Sequence, residues 1–174
     1  MASPRVEVLI SCDRIAARVA ELGSKISADY GDREIVLIGV LKGSFMFIAD
    51  LVRHIASPVT IEFMAARSYD SGTSTSGQIE LTKDLGRPIE GKDVLLVEDI
   101  IDTGLTLNYL KLLLAQRQPR SLKTVSFLDK PSRRRIQISG EYVGFEIEDR
   151  FVVGYGLDFE QKYRNLKDLC VLVP

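Results

Sequence analysis

Histidine and cysteine are scarce in this 174-residue chain. His54 is the only histidine, and Cys12 and Cys170 stand far apart with no CxxC spacing. A structural zinc site, which gathers four Cys or His ligands, is therefore not expected, and both thiols are read as reduced. An excess of either charge is missing as well: 23 basic against 24 acidic side chains leave a net charge of -1. Such a balance supplies no general field for unspecific nucleic-acid binding. No apolar run approaches the ~20 residues that cross a bilayer, and the start, MASPRVEVLIS, has neither the charged opening nor the long apolar stretch of a secretory signal. The expectation is a cytoplasmic protein without membrane or nucleic-acid partners.

What is present is ordinary for a globular protein: 45% hydrophobic and 27% charged residues. A chain of this length can bury about two thirds of its unfolded surface, so one domain over residues 1–174 is expected. Residues 11–30 carry Ile15, Val19, Leu22 and Ile26 at helical spacing, with Glu21 and Lys25 placed to pair across a turn. Residues 35–41 (IVLIGVL) are instead apolar at every position, which suits a strand buried on both faces. Ser44 is placed to cap a second helix over 45–55. The order repeats with a strand at 94–97, a turn at 98–104 and a helix at 106–116. Residues 59–65, 123–128 and 151–154 add short strands, and 136–147 holds less regular ones. Alternation of this kind predicts an α/β fold with a mainly parallel central sheet flanked by helices. Residues 70–77 (DSGTSTSG) are the only low-complexity stretch, read as a flexible lid loop.

The richest chemistry lies in VLLVEDIIDTGLTL, residues 94–107. A buried strand runs into Glu98 and Asp99, then Asp102, then Thr103, Gly104, Leu105 and Thr106 at the start of a helix. Ligands of open α/β sheets sit beyond the carboxyl ends of strands, where a helix start offers free N–H groups and partial positive charge. Thr103, Gly104 and Thr106 can wrap a phosphate, with the backbone approaching closely at Gly104. Glu98 and Asp99 would repel that phosphate, yet suit sugar hydroxyls or a hydrated Mg²⁺. The plainer alternative is a solvated acidic loop in which Thr103 caps the helix.

This string resembles the phosphoribosyl pyrophosphate (PRPP) signature of the type I phosphoribosyltransferases, and EDIIDTG resembles the hypoxanthine-guanine branch. Four further segments follow in the family's order: LKGS at 41–44, ARSYDSGTSTSG at 66–77, LDKPSRR at 128–134 and FVVGYGLDFEQKYRNL at 151–166. The resemblance implies the type I phosphoribosyltransferase fold, with a small hood and a lid, and transfer of phosphoribosyl from PRPP to a 6-oxopurine with Mg²⁺ as cofactor. It implies the 5′-phosphate in the turn from Asp102 to Thr106, Leu105 included, and the ribose hydroxyls on Glu98 and Asp99. It makes Asp102 the catalytic base near purine N7. Lys42, Gly43 and Arg164 would meet pyrophosphate, in a loop that carries a non-proline cis peptide in relatives. Lys130, Phe151, Val152 and Asp158 would meet the purine, and Glu98, Asp99 and Asp158 the metal. Ser68 and Tyr69 would open the lid. A homodimer or homotetramer is implied in the same way.

Lys130 also carries an argument of its own. An ammonium only donates hydrogen bonds, so it suits the O6 acceptor of hypoxanthine, guanine or xanthine and rejects adenine. Taken singly, Lys42 and Arg164 are ordinary surface cations and Phe151 a core ring. The run Arg133 to Arg135 reads as a solvated turn, and His54 as a solvent-facing residue. Leu105 departs from the lysine that many relatives carry in the phosphate turn, and Arg67 from a lysine in some. Two rivals remain: a phosphoribosyltransferase for xanthine alone or a pyrimidine, and a PRPP-sensing regulator that binds nucleic acid.

Overall fold

The computed structural model describes residues 5–68 and 79–173, the side chain of Ser68 excepted. Its chain order is β1 (Arg5–Ile10), α1 (Cys12–Tyr30), β2 (Ile35–Leu41), α2 (Phe45–Leu51), β3 (Val59–Ser68), β4 (Ile79–Lys83), β5 (Asp93–Ile101), α3 (Leu105–Ala115), β6 (Ser121–Asp129), β7 (Tyr142–Glu146), β8 (Val152–Val153) and β9 (Leu169–Val173), with short 3-10 turns at Val52–His54 and Pro131–Arg133. Six strands form the main sheet in the order β4-β3-β2-β5-β6-β7. All its neighbours are parallel except β3 and β4. A small antiparallel sheet, β1-β9-β8, stands apart from it as the hood.

The unbroken apolar run of β2 has a direct cause. Side chains alternate across a strand, and both faces of this one are covered. Ile35 and Leu37 join a core with α1, α2 and the small sheet, while Val36, Ile38 and Val40 join a second core with α3. Strand β5 divides in the same way, Leu95 and Val97 to one side and Val94 and Leu96 to the other. Chain order then places the site. The main sheet grows from β2 to β3 in one direction and from β5 to β6 in the other. The helices that follow β2 and β5 therefore leave on opposite faces, opening a crevice at the carboxyl ends of these two strands.

Several expectations need correction. Strand β5 runs on to Ile101, so Glu98 and Asp99 belong to the strand and not to the turn. The Ser44 hydroxyl makes no cap bond; it donates back to the Val40 carbonyl at 2.7 Å, and α2 ends at Leu51. Glu21 pairs with Arg18 at 2.8 Å, while Lys25 lies over the Tyr142 ring. Strands β1, β4 and β9 were not anticipated. Cys12 and Cys170 are free thiols, and His54 is exposed.

Long-range clamps hold the hood and the sheet edge. The Tyr155 hydroxyl donates to Asp50 Oδ2 at 2.7 Å, tying the hood to α2, and its ring lies 4.8 Å from that of Phe127. Arg18 on α1 reaches the outermost strand β7, where its Nε and Nη2 donate to the carbonyls of Gly144 and Val143 at 2.8 and 2.9 Å.

Candidate functional site

The crevice is a cleft of about 330 Å³ at the ends of β2 and β5. It gathers residues that lie far apart in sequence: Lys42 and Gly43 after β2, Glu98 and Asp99 on β5, Asp102, Thr103, Gly104 and Thr106 in the turn, and Asp158 and Arg164 from the segment after β8. Val40, Leu41, Ala66, Ile100, Ile101 and Leu107 complete its walls. Leu105 does not line it; its N–H leans on Thr103 Oγ1 at 3.4 Å.

Gly104 stands at the head of α3 with φ of 84°, in the left-handed region where a side chain is strained. The N-cap position of α3 is Gly104 and not Thr103, whose hydroxyl accepts from the Leu105 N–H alone. Beyond the Leu105 N–H, which leans on Thr103 Oγ1, the N–H groups of Thr106 and Leu107 in the first turn remain available to an anion at the cleft. A Cβ at Gly104 would also strike Ile138.

Glu98 and Asp99 face this positive end without neutralising it. Glu98 is only 5% exposed. Burial, and then the charge of Asp99, push its carboxyl well above the usual carboxylate range. Asp99 is pushed up to about 6, first by burial and further by Asp158, against the pull of the Ile100 N–H at 2.8 Å and of Arg164. Neither carboxylate has a cation bonded to it among the described residues. Hydroxyl donors or a cation supplied from outside would both be stabilised there.

The Leu41–Lys42 peptide is cis, and Gly43 follows it at a point with no room for a side chain. A Cβ at Gly43 would overlap the Asp99 carboxylate, and one at Gly156 would overlap the Gly43 carbonyl. The 41–43 loop is thus held between β5 and the segment after β8. That segment contains two tight turns. Each has two central residues at positive φ: Tyr155 and Gly156 (47° and 99°), then Glu160 and Gln161 (52° and 64°). They place Gln161 between the cations, where its Oε1 accepts from Lys42 Nζ and from Arg164 Nη2, each at 3.2 Å. Its N–H donates to Asp158 Oδ2 at 2.8 Å. Asp158 pairs with Arg164 at 2.6 Å. Gln161 escaped the sequence reading because neither it nor Glu160 is a residue that usually marks such turns.

A second group adjoins the cleft. The Lys130 N–H donates to the Ile101 carbonyl at 2.9 Å, so Lys130 lies next to the Asp102 turn. Its side chain is buried, with Nζ donating to the Arg150 carbonyl at 2.7 Å and lying 3.6 Å from Asp149. Phe151, beside Arg150, is 56% exposed and meets Phe159 edge-on at 5.7 Å. Val152 is buried and pairs with Val171. In the arginine run Arg133 and Arg135 are exposed as expected, though Arg133 bonds Asp102, while the largely buried Arg134 donates to the carbonyls of Ile101 and Asp102 and pairs with Asp129. Of the lid pair, Ser68 ends β3 with its side chain outside the described residues, as is the whole of Tyr69.

A model of the phosphoribosyl transferase domain matches residues 11–160. The chain belongs to the phosphoribosyl transferase family. It is 52% identical over 169 residues to the hypoxanthine phosphoribosyltransferase of Haemophilus influenzae, covering 95% of this chain and 94% of that protein. To the hypoxanthine-guanine phosphoribosyltransferase of Bacillus subtilis it is 48% identical over 168 residues, 97% and 93% of the two chains. A crystal structure of a hypoxanthine-guanine phosphoribosyltransferase from Bacillus anthracis, with a HEPES molecule in its active site, superposes with a TM-score of 0.93 at 48% identity, covering 98% of this chain and 100% of that one. As a phosphoribosyl transferase, this chain has the type I fold, and its crevice at the ends of β2 and β5 is the place to seek the transfer chemistry.

Proposed function

We propose that the chain is a purine-salvage enzyme that transfers phosphoribosyl from PRPP to hypoxanthine and/or guanine, giving IMP or GMP and pyrophosphate. The observation that carries this reading is one cleft holding a helix start with free N–H groups at Thr106 and Leu107, two cation-seeking carboxylates and a separate pair of cations. These are the complements of a 5′-phosphate, a ribose and a pyrophosphate.

In the reaction, the N–H groups at the start of α3 and the hydroxyls of Thr103 and Thr106 hold the 5′-phosphate. Glu98 and Asp99 accept from the ribose hydroxyls, fixing the ring over the cleft. Lys42, the backbone at Gly43 and Arg164 take the charge that builds on departing pyrophosphate, as preorganised donors should. Asp102 takes the purine N7 proton as the new glycosidic bond forms, a contribution of about 10² to 10⁴ in rate. Lys130 Nζ has donors left for purine O6, Phe151 offers an open ring face for stacking, and Val152 presents backbone at the base edge. Asp158 borders both the purine and the pyrophosphate. Ser68 and Tyr69 open a lid that keeps water from the reacting carbon.

The raised carboxyls of Glu98 and Asp99, with Asp158 nearby, fit Mg²⁺, which would offset charge on the pyrophosphate. Among the described residues no three acidic, His or Cys side chains converge as a complete metal cage. No helix among the described residues is long and apolar enough to cross a membrane. A cytoplasmic homodimer or homotetramer completes the proposal.

The test is pyrophosphate release with Mg²⁺ and PRPP, offering hypoxanthine, guanine, xanthine, adenine and uracil separately beside an Asp102→Ala control. Turnover with hypoxanthine or guanine, largely lost in the control, is the expected result. Turnover with xanthine alone or uracil would reassign the base. Binding of PRPP without turnover on any base would favour the sensor reading.

A further inference from the structure

Asp102 is held twice, by different residues for different parts. Arg134 Nη1 donates to the Asp102 backbone carbonyl at 2.5 Å, and to that of Ile101 at 2.9 Å, fixing the course of the turn. Arg133 instead takes the side chain: its Nε donates to Asp102 Oδ1 at 2.9 Å. Among the described residues no donor is bonded to Oδ2, which leaves that oxygen for a substrate proton. Arg133 also extends Nη1 to Asp149 Oδ2 at 3.4 Å, and Asp149 Oδ1 lies 3.6 Å from Lys130 Nζ. Charges of alternating sign therefore run Asp102, Arg133, Asp149, Lys130, joining the turn after β5, the 3-10 turn after β6 and the loop between β7 and β8.

We propose that Arg133 is a positioning residue for phosphoribosyl transfer, which with Asp149 aims Asp102 and couples it to the Lys130 end of the purine subsite. The proposal rests on the roles assigned above to Asp102 and Lys130. Arginine suits the task because its planar fork can serve two carboxylates at once, whereas lysine is a point charge on a flexible stem. The side chains of Asp102, Arg133 and Asp149 are all about half exposed, and pairs of that sort add little to stability. Their value lies in orientation, since a small misplacement of a reacting group can cost up to about 10² in rate. Lys130 keeps its Arg150 contact and has donors to spare, so purine O6 can join the chain without breaking it.

Steady-state kinetics with hypoxanthine on Arg133→Gln, Arg133→Lys, Asp149→Asn and the double variant Arg133→Gln/Asp149→Asn tests this, with Asp102→Ala and Lys130→Gln beside them. Arg133→Gln is expected to lower kcat about tenfold with KM for PRPP changed less than about twofold, and Arg133→Lys to recover part of that loss. Asp149→Asn should raise KM for hypoxanthine about threefold, and the double variant should fall short of the product of the single effects. A kcat for Arg133→Gln within about twofold of the parent, a lysine variant no better than the glutamine one, or fully multiplicative effects each overturn the proposal. Should Arg133→Gln fail to fold, Arg133→Lys and Asp149→Asn in a cycle of their own decide by the same criteria. Full activity in Asp102→Ala and Lys130→Gln would instead reject the underlying site assignment.

Discussion

Strand β5 carries one buried acid, Asp93, at its start and another, Glu98, in its second half, and the two are treated oppositely. Asp93, 1% exposed, is surrounded: Arg33 and Arg120 approach its Oδ2 at 3.3 and 3.2 Å and the Ser121 hydroxyl donates to its Oδ1 at 2.6 Å. Glu98, 5% exposed, and the half-buried Asp99 have no bonded cation among the described residues, and burial raises both carboxyls. One stretch is a finished structural contact. The other retains unmet demand for hydrogen bonds and positive charge, which a substrate can satisfy. Structural pairing and the proposed substrate contacts thus occupy different stretches of one nine-residue strand.

The contrast can be broken in several ways. The largest effect expected is on activity: Glu98→Gln or Asp99→Asn should lower kcat/KM for PRPP by about 100-fold, since a site built to bond hydroxyls loses much when its acceptors change. Loss of less than about threefold in both would remove the functional half of the comparison. Asp93→Ala should leave turnover per folded molecule unchanged and cost about 2 to 3 kcal/mol in a urea melt, below the range of about 3 to 5 for a fully buried pair because both arginines left behind are about half exposed. A smaller effect of opposite sign is expected at Asp99. Its folded value of about 6 exceeds the ordinary 3.8, so the folded protein holds this proton more tightly. Stability from this group is fullest below about pH 4 and declines as pH rises through about 6. Asp99→Asn should therefore stabilise the ligand-free protein by about 1 to 2 kcal/mol at pH 7.5, after allowance for solvent screening, and the gain should vanish toward pH 4. A variant less stable than the parent at pH 7.5 would sink this account. The smallest effect concerns Gln161→Ala, where loss of a hydrogen-bond acceptor shared by Lys42 and Arg164 should weaken PRPP binding about threefold by calorimetry.

Much of the active end was legible because it is local. The residues from Glu98 to Thr106 are contiguous, and apolar strand, acidic pair, glycine and helix can be read in a row. Lys42 and Gly43 were legible for the same reason, at the end of a wholly apolar strand. Only the resemblance could bring in Arg164 and Asp158, because two successive turns at positive φ carry them to the cleft, and Tyr155, Glu160 and Gln161 carry no composition signal for that geometry. In the arginine run only Arg134 departs from a solvated turn, for a related reason. Nothing in RRR tells which member faces inward, and the chain's exit from the 3-10 turn decides it. The small sheet was largely missed because β1 is mostly exposed and pairs with β9, about 160 residues away in sequence.

The clamp of Arg18 on β7 reaches beyond this chain's own packing. An outermost strand with free carbonyls invites another chain to add itself by backbone pairing, the first step toward ordered aggregates. Arg18 occupies the carbonyls of Val143 and Gly144 with a charged group, and the helix that carries it lies alongside. The same guanidinium that fastens α1 to the sheet therefore shields one sheet margin from self-templating, a benefit felt most when the protein is concentrated.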